Sequence, residues 1–202
     1  MDVYLLRHGD CRTDGVRRYV GQIDYPLNAI GREQARRWQG FFLRHRPDRV
    51  VCSDLLRTVQ TAEEVLGLSM VVPVLEPAFR EISLGDWEGV PHKDIKRDFP
   101  DAYAARGADL AAFCPPGGES FAEVQSRVVA AFDALRSGAS PTDILLIVTH
   151  AGVIRSLLCH ILGIPLGQMF SLGLDYAGLT HLEFSRHGWV VRAMNICLPH
   201  GG

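Results

Sequence analysis

The sequence has no long apolar run. Its longest runs, Ile144 to Val148 among them, have five residues, where a membrane-spanning helix needs about 20. It has no Cys-x-x-Cys pair. Its five cysteines, Cys11, Cys52, Cys114, Cys159 and Cys197, are an odd set that suits reduced thiols in a cytoplasmic protein better than a disulfide framework. Neither sign of charge dominates: the net charge is −2 over 202 residues, so the molecule has no overall attraction to nucleic acid or to an anionic membrane. The start, Met-Asp-Val, carries no basic segment followed by an apolar one, so no secretory signal is expected. There is no G-x-G-x-x-G opening a helix, no G-x-x-x-x-G-K-[ST] and no H-E-x-x-H, which leaves dinucleotide, P-loop and zincin readings without their motif. His8, His150 and a cysteine are conceivable zinc ligands, but the neighbouring arginines would oppose a cation. No metal and no cofactor is expected.

What the sequence does have is a core's worth of apolar residues, 47% of the chain, in short runs separated by helical patterns. Val3–Leu6, Arg49–Cys52, Met70–Leu75 (interrupted by Pro73) and Asp143–Val148 read as strands. Asn28 is placed to cap a helix carrying Ala35, Trp38 and Phe42 on one face, and Pro47 closes that segment. A second helix starts near Asp54 with the stripe Leu55, Val59, Ala62, Leu66 and stops at Gly67. Ser120 and Glu123 fit a capping box ahead of Phe121, Val124, Val128 and Leu135. A helix runs from about Gly152 to Leu162. Leu179–Phe184 and Trp189–Met194 alternate like two strands around a tight turn. This order predicts an α/β fold with a mainly parallel sheet, in a single domain over residues 1–202. The exception is the interval from Asp86 to Gly118, which reads as a small insertion over one edge of the sheet. The apolar stretch Leu162–Leu174 fits an interface or a buried loop, and a homodimer stays open.

In open α/β sheets ligands bind beyond the carboxyl ends of the strands, so polar residues at those ends mark the candidate site. The first strand runs into Arg7-His8-Gly9, the second into Ser53-Asp54 with Arg57 one helical turn on. The third leads to Arg80-Glu81, and the fourth ends at His150-Ala151-Gly152 as a helix begins. Arginine forks and helix-start N–H groups suit oxyanions, so a phosphate or a carboxylate is the expected ligand. Arg-His-Gly also occurs at Arg186-His187-Gly188. That copy lies between the two alternating segments with no companion arginine or histidine block, and is expected to be a hairpin turn.

Six blocks in order, "LLRHGD", "PLNAIGREQA", "VVCSDLLRTVQTAE", "REISLGDWEG", "PPGGES" and "IVTHAGVIR", resemble the histidine phosphatase superfamily. The resemblance implies a three-layer α/β/α, phosphoglycerate mutase-like fold. It makes His8 a nucleophile that becomes phosphohistidine. Arg7, Arg57, His150 and the Ala151 N–H become the grip on the phosphoryl oxygens. Glu81 becomes the proton donor, with a pKa expected to lie above the ordinary range; Asp86 and Glu88 are expected to be turn residues. Where the family often has a phosphate-binding Asn, this chain has Asp14. It is carried as a substrate-binding position, expected to face outward while Arg12, Arg17 or Arg18 covers the site. Asp10 and Cys11 also depart from the family pattern. The short insertion favours a phosphatase over a mutase, acting on a small phosphorylated metabolite. Three blocks look most like those of α-ribazole phosphatases, and Trp87, Phe99, Tyr103 and Phe113 would suit a flat base, although aromatics in a small lid more often form its own core. The alternatives are a broad-specificity phosphatase, a mutase, and a catalytically weak phosphate-binding protein.

Overall fold

The structure, a computed structural model, describes residues 1–12, 14–67 and 71–199. Asp2–Arg7 (β1) and Ile144–Thr149 (β4) are apolar on both faces, as strands in the middle of a covered parallel sheet are. They pair in parallel from Asp2↔Ile144 to Arg7↔Thr149. Arg49–Cys52 (β2) lies parallel on the far side of β4, followed by Val74–Leu75 (β3). Leu179–Ser185 (β5) pairs antiparallel with β1, and Gly188–Ile196 (β6) returns beside it. The sheet order is β3-β2-β4-β1-β5-β6. The carboxyl ends of the four parallel strands therefore share one edge.

Alternation along the strands divides the core in two. Tyr4, Leu6, Val50, Cys52, Leu146 and Val148 face one cluster with Ala35, Trp38, Phe42, Ala62 and Val65, from Ala29–Arg36 (α1), Gln39–Arg44 (α2) and Leu56–Leu66 (α3). Val3, Leu5, Val51, Leu145 and Ile147 face another. That cluster is covered by Phe121–Ser137 (α6) and Ala151–Leu162 (α7), while His92–Asp98 (α4) and Pro100–Ala108 (α5) belong to the insertion. The result is three layers, α/β/α, as expected.

The caps form as the sequence indicated. Asn28 Oδ1 accepts from Gly31 N at 2.8 Å, the Ser120–Glu123 capping box is closed, and Gly67 ends α3. Two expectations change. The helix read through Trp38 is two helices, α1 and α2, broken at Arg37-Trp38, where the Trp38 indole donates to Ala177 O at 2.9 Å. The third strand shrinks to Val74–Leu75, because Pro73 has no N–H for the ladder; Met70 lies outside the described residues.

The insertion is tied to the loop after β1. Tyr19 N donates to Val90 O, Gly89 N to Tyr19 O and His92 N to Arg17 O, so loop and insertion together roof the strand ends. No helix among the described residues is long and apolar enough to cross a membrane.

Candidate active site

A cavity of about 230 Å³ opens at the shared strand edge, and Arg7, His8, Arg57, Glu81, Ala151 and Gly152 all line it. β1 delivers Arg7 and His8 as it ends. Gly9 then turns the chain where a side chain has no room: a Cβ there would sit 2.3 Å from Gly31 O. The Gly9 N–H is held by Thr61 Oγ1 at 3.1 Å.

His8 is 5% exposed. Its Nδ1 lies 2.7 Å from Gly9 O, and a carbonyl can only accept, so Nδ1 carries the proton and Nε2 keeps its lone pair. Burial, together with Arg57 and Arg7, holds its pKa well below the ordinary histidine value. The ring is neutral at pH 7.

Arg57, on the first turn of α3, is 1% exposed. Nη1 donates to Ile23 O at 2.7 Å and Nη2 to Gly21 O at 2.8 Å. These bonds fix the guanidinium without neutralising it. Arg7 donates to Leu174 O at 2.7 Å and stacks 3.9 Å over the Tyr176 ring. His150, fully buried, lies 5.1 Å from the His8 ring. Its Nε2 is 3.0 Å from Ser53 Oγ, whose hydroxyl already accepts from Leu55 N. A serine oxygen can accept twice, but its buried proton also needs an acceptor, and Nε2 is the ring nitrogen in reach; with the serine donating to Nε2, Nδ1–H is left as a donor. Burial first, then Arg57, His8 and Arg7, also keeps His150 neutral.

Buried polar nitrogens are nearly always satisfied. Among the described residues, four buried side-chain N or O atoms lack a partner, and three of them are Arg7 Nε, Arg57 Nε and His150 Nδ1. Three unmet donors around one lone pair make a ready site for an oxyanion. Ala151 starts α7, so its N–H has no acceptor within the helix.

Glu81 Oε1 accepts from Ile82 N at 3.0 Å and Oε2 from Gly152 N at 3.1 Å. A Cβ on Gly152 would come within 2.2 Å of Oε1, so only glycine lets this carboxyl lie against α7. Asp86 is exposed in a short 3-10 turn. Glu88 is occupied by Gln22 N and Leu84 N. Both are turn residues, as expected.

Asp14 is not brought to the cavity. Its side chain is 43% exposed and pairs with Arg18 Nη2 at 2.6 Å, and Arg18, not Asp14, reaches the lining. Asp10 turns back on Arg12, and Cys11 lines the cavity as a buried thiol whose pKa burial raises. Of the two readings of the insertion's aromatics, the lid's own core holds for Trp87, which is buried against Phe113 and Tyr19. Phe99 and Tyr103 are exposed, and none of the four lines the cavity. A small lid needs its own core, and Trp87 supplies it. The cavity's rings are Tyr19, Phe121, Phe170 and Tyr176 instead, with Arg106 and Arg155 beside them. Phe170, Tyr176 and Arg106 follow no parallel strand, so the strand ends do not point to them; Arg155, one turn into α7 behind β4, sits as Arg57 does behind β2 and was missed although that pattern reaches it. Among the described residues, no group of three or more His, Cys, Asp or Glu side chains is placed to hold a metal ion.

Comparison with known proteins agrees with this geometry. Residues 3–197 match the histidine phosphatase superfamily (branch 1). The chain is 33% identical over 198 residues to an adenosylcobalamin/alpha-ribazole phosphatase of Salmonella typhimurium, covering 98% of this chain and 91% of that one. It is 34% identical over 176 residues to a glucosyl-3-phosphoglycerate phosphatase of Mycolicibacterium vanbaalenii, covering 84% and 77%. The alpha-ribazole phosphatase structure from Shigella flexneri superposes with a TM-score of 0.89 at 28% identity, covering all of both chains. With a neutral histidine, two arginines and a second histidine gathered at the strand ends, and the family pattern running almost end to end, this chain belongs to the histidine phosphatase superfamily.

Proposed function

We propose that the protein hydrolyses phosphate monoesters through a phosphohistidine on His8. The observation that carries this reading is the Nδ1 contact to Gly9 O, which leaves Nε2 as a buried, neutral nucleophile among three unmet donors. Nε2 attacks phosphorus in line, the N–P bond forms as the ester P–O bond breaks, and Glu81 gives a proton to the leaving oxygen. Water then attacks the phosphohistidine, Glu81 takes its proton, and the N–P electrons return to Nε2 as phosphate leaves. Charge spreads over the phosphoryl oxygens in such a transfer. Arg7, Arg57, His150 Nδ1–H and the Ala151 N–H are preorganised to receive it. Asp14 stays outside, paired to Arg18, so Asp14→Asn should leave phosphate affinity within about threefold; much tighter binding would contradict the outward placement.

α-Ribazole 5′-phosphate is the first ester to try, because relatives of similar length are named for it. The test is a metal-free assay on p-nitrophenyl phosphate, α-ribazole phosphate and 3-phosphoglycerate. Phosphate release that persists in a chelator and vanishes in His8→Ala supports the reading. Interconversion of phosphoglycerates without phosphate release would point to a mutase. Phosphate binding with no turnover would leave only a binding protein.

A further inference from the structure

The cavity holds more positive charge than one phosphoryl group uses. Arg7, Arg18, Arg57, Arg106 and Arg155 line it, and among the described residues Glu81 is the only carboxylate that does. Arg18 is matched by Asp14. Arg7 and Arg57 belong to the phosphoryl grip. Arg106, from the insertion helix α5, and Arg155, from α7, remain. Neither has a carboxylate within ion-pair distance among the described residues, although thirteen ion pairs form among them.

Both guanidiniums lie by the Phe170 ring, Arg155 at 5.2 Å and Arg106 at 5.9 Å from its centre, and Arg106 also lies 5.6 Å from the Tyr19 ring. Arg155 Nε donates to Leu172 O at 2.9 Å, which anchors the side chain and leaves its Nη groups without a protein acceptor among the described residues. Phe170 is half exposed, at 51%. It forms a platform that holds two cations in place, because ring faces attract guanidinium. Like charges gathered on one partly buried platform repel each other, and the arrangement favours an anion that separates them.

We propose that Arg106, Arg155 and Phe170 form a second anion subsite, and that the preferred substrates are phosphate monoesters carrying a carboxylate or second acidic group a few atoms from the phosphate. The inference rests on the phosphatase reading above and narrows its substrate class. It also opposes α-ribazole phosphate as the preferred ester, because a neutral nucleoside leaves both arginines without a counter-charge. Charge-assisted hydrogen bonds of this kind are worth ~1.5–3 kcal/mol, or roughly ten- to a hundredfold in affinity.

The matched pair 3-phosphoglycerate and glycerol 3-phosphate tests it, since the two differ only in a carboxylate against a hydroxymethyl group. Each is titrated as a competitive inhibitor of p-nitrophenyl phosphate turnover, which reports binding whether or not the ester is itself cleaved. The expected result is at least about tenfold stronger inhibition by 3-phosphoglycerate, falling towards unity in Arg106→Gln and in Arg155→Gln. Equal inhibition in the unaltered protein would overturn the subsite. So would variants that weaken both esters equally. If p-nitrophenyl phosphate is not hydrolysed at all, the phosphatase reading fails instead. The same pair compared by calorimetry then still decides the subsite.

Discussion

Two stretches of this chain read Arg-His-Gly, and the fold gives them opposite environments. Arg7-His8-Gly9 ends β1, in the middle of the sheet, beside the end of β4, with the end of β2 on the far side of β4. Arg186-His187-Gly188 joins β5 to β6 at the sheet's antiparallel side, where Arg186 and His187 are the exposed two-residue turn. His8 lies among Arg7, Arg57 and His150, while the hydrogen bonds of His187 are to Arg186 and Ser185, within its own turn. The glycines differ too. Gly9 is required because Gly31 packs on it, whereas Gly188 has open space around it and a φ of +97°. A tripeptide becomes a reactive site only when other strand ends bring donors to it.

The largest expected contrast is between the histidines. His8→Ala should lower turnover of p-nitrophenyl phosphate by about 10⁴-fold or more, as loss of a nucleophile does, while His187→Ala should stay within about twofold. Comparable losses in both would remove the distinction. Next come the arginines. Arg57→Gln takes a fixed cationic donor from the transition state, with an expected loss of about 10²–10³-fold, against no measurable change for Arg186→Gln. Steady-state rates across a range of substrate concentrations check this, and an Arg57 variant near wild type would take it out of the grip.

A third contrast is in pH dependence. Burial holds the pKa values of His8 and His150 well below the ordinary value. Unfolded, both bind protons as the pH falls through about 6.5, while folded they do not. Their contribution to stability is therefore complete above that range and erodes below it, by up to about 1.4 kcal/mol per pH unit for each histidine. Thermal midpoints between pH 7.5 and 5 should fall, with a shallower slope in His8→Asn and an unaltered one in His187→Ala. The same slope in all three would mean that His8 is not held neutral. The smallest effect is at the second glycine. Gly188→Ala should cost about 1 kcal/mol of stability through its left-handed backbone, leaving turnover intact, as denaturant titration would show.

How far the site could be read from the sequence follows from the same contrast. Arg7, His8, Arg57, Glu81 and His150 were legible because strand patterns locate the carboxyl ends of parallel strands, and those ends necessarily meet. The cavity's far wall was not. Phe170 stands in a 3-10 segment, Leu166–Ser171, whose neighbour Met169 is buried. Tyr176 precedes Ala177, a non-glycine residue at positive φ. Neither carries a periodic signal, and their position depends on packing between distant segments. The aromatics of the insertion stayed open between a base platform and the lid's own core for the related reason that composition does not say which way a ring faces. In the stretch Leu162–Leu174, Met169, Leu172 and Leu174 are buried as a buried loop requires, while Phe170 is presented to the cavity.

The central claim is that His8 carries the phosphoryl group, and the most direct measurement is to trap it. The protein is mixed with p-nitrophenyl phosphate, quenched in alkali, where phosphohistidine survives, and its peptides are analysed by mass spectrometry. One phosphoryl group on the peptide containing His8, and none on that containing His187, is the predicted result. A phosphoryl group on any other residue, or undiminished turnover in His8→Ala, would contradict it.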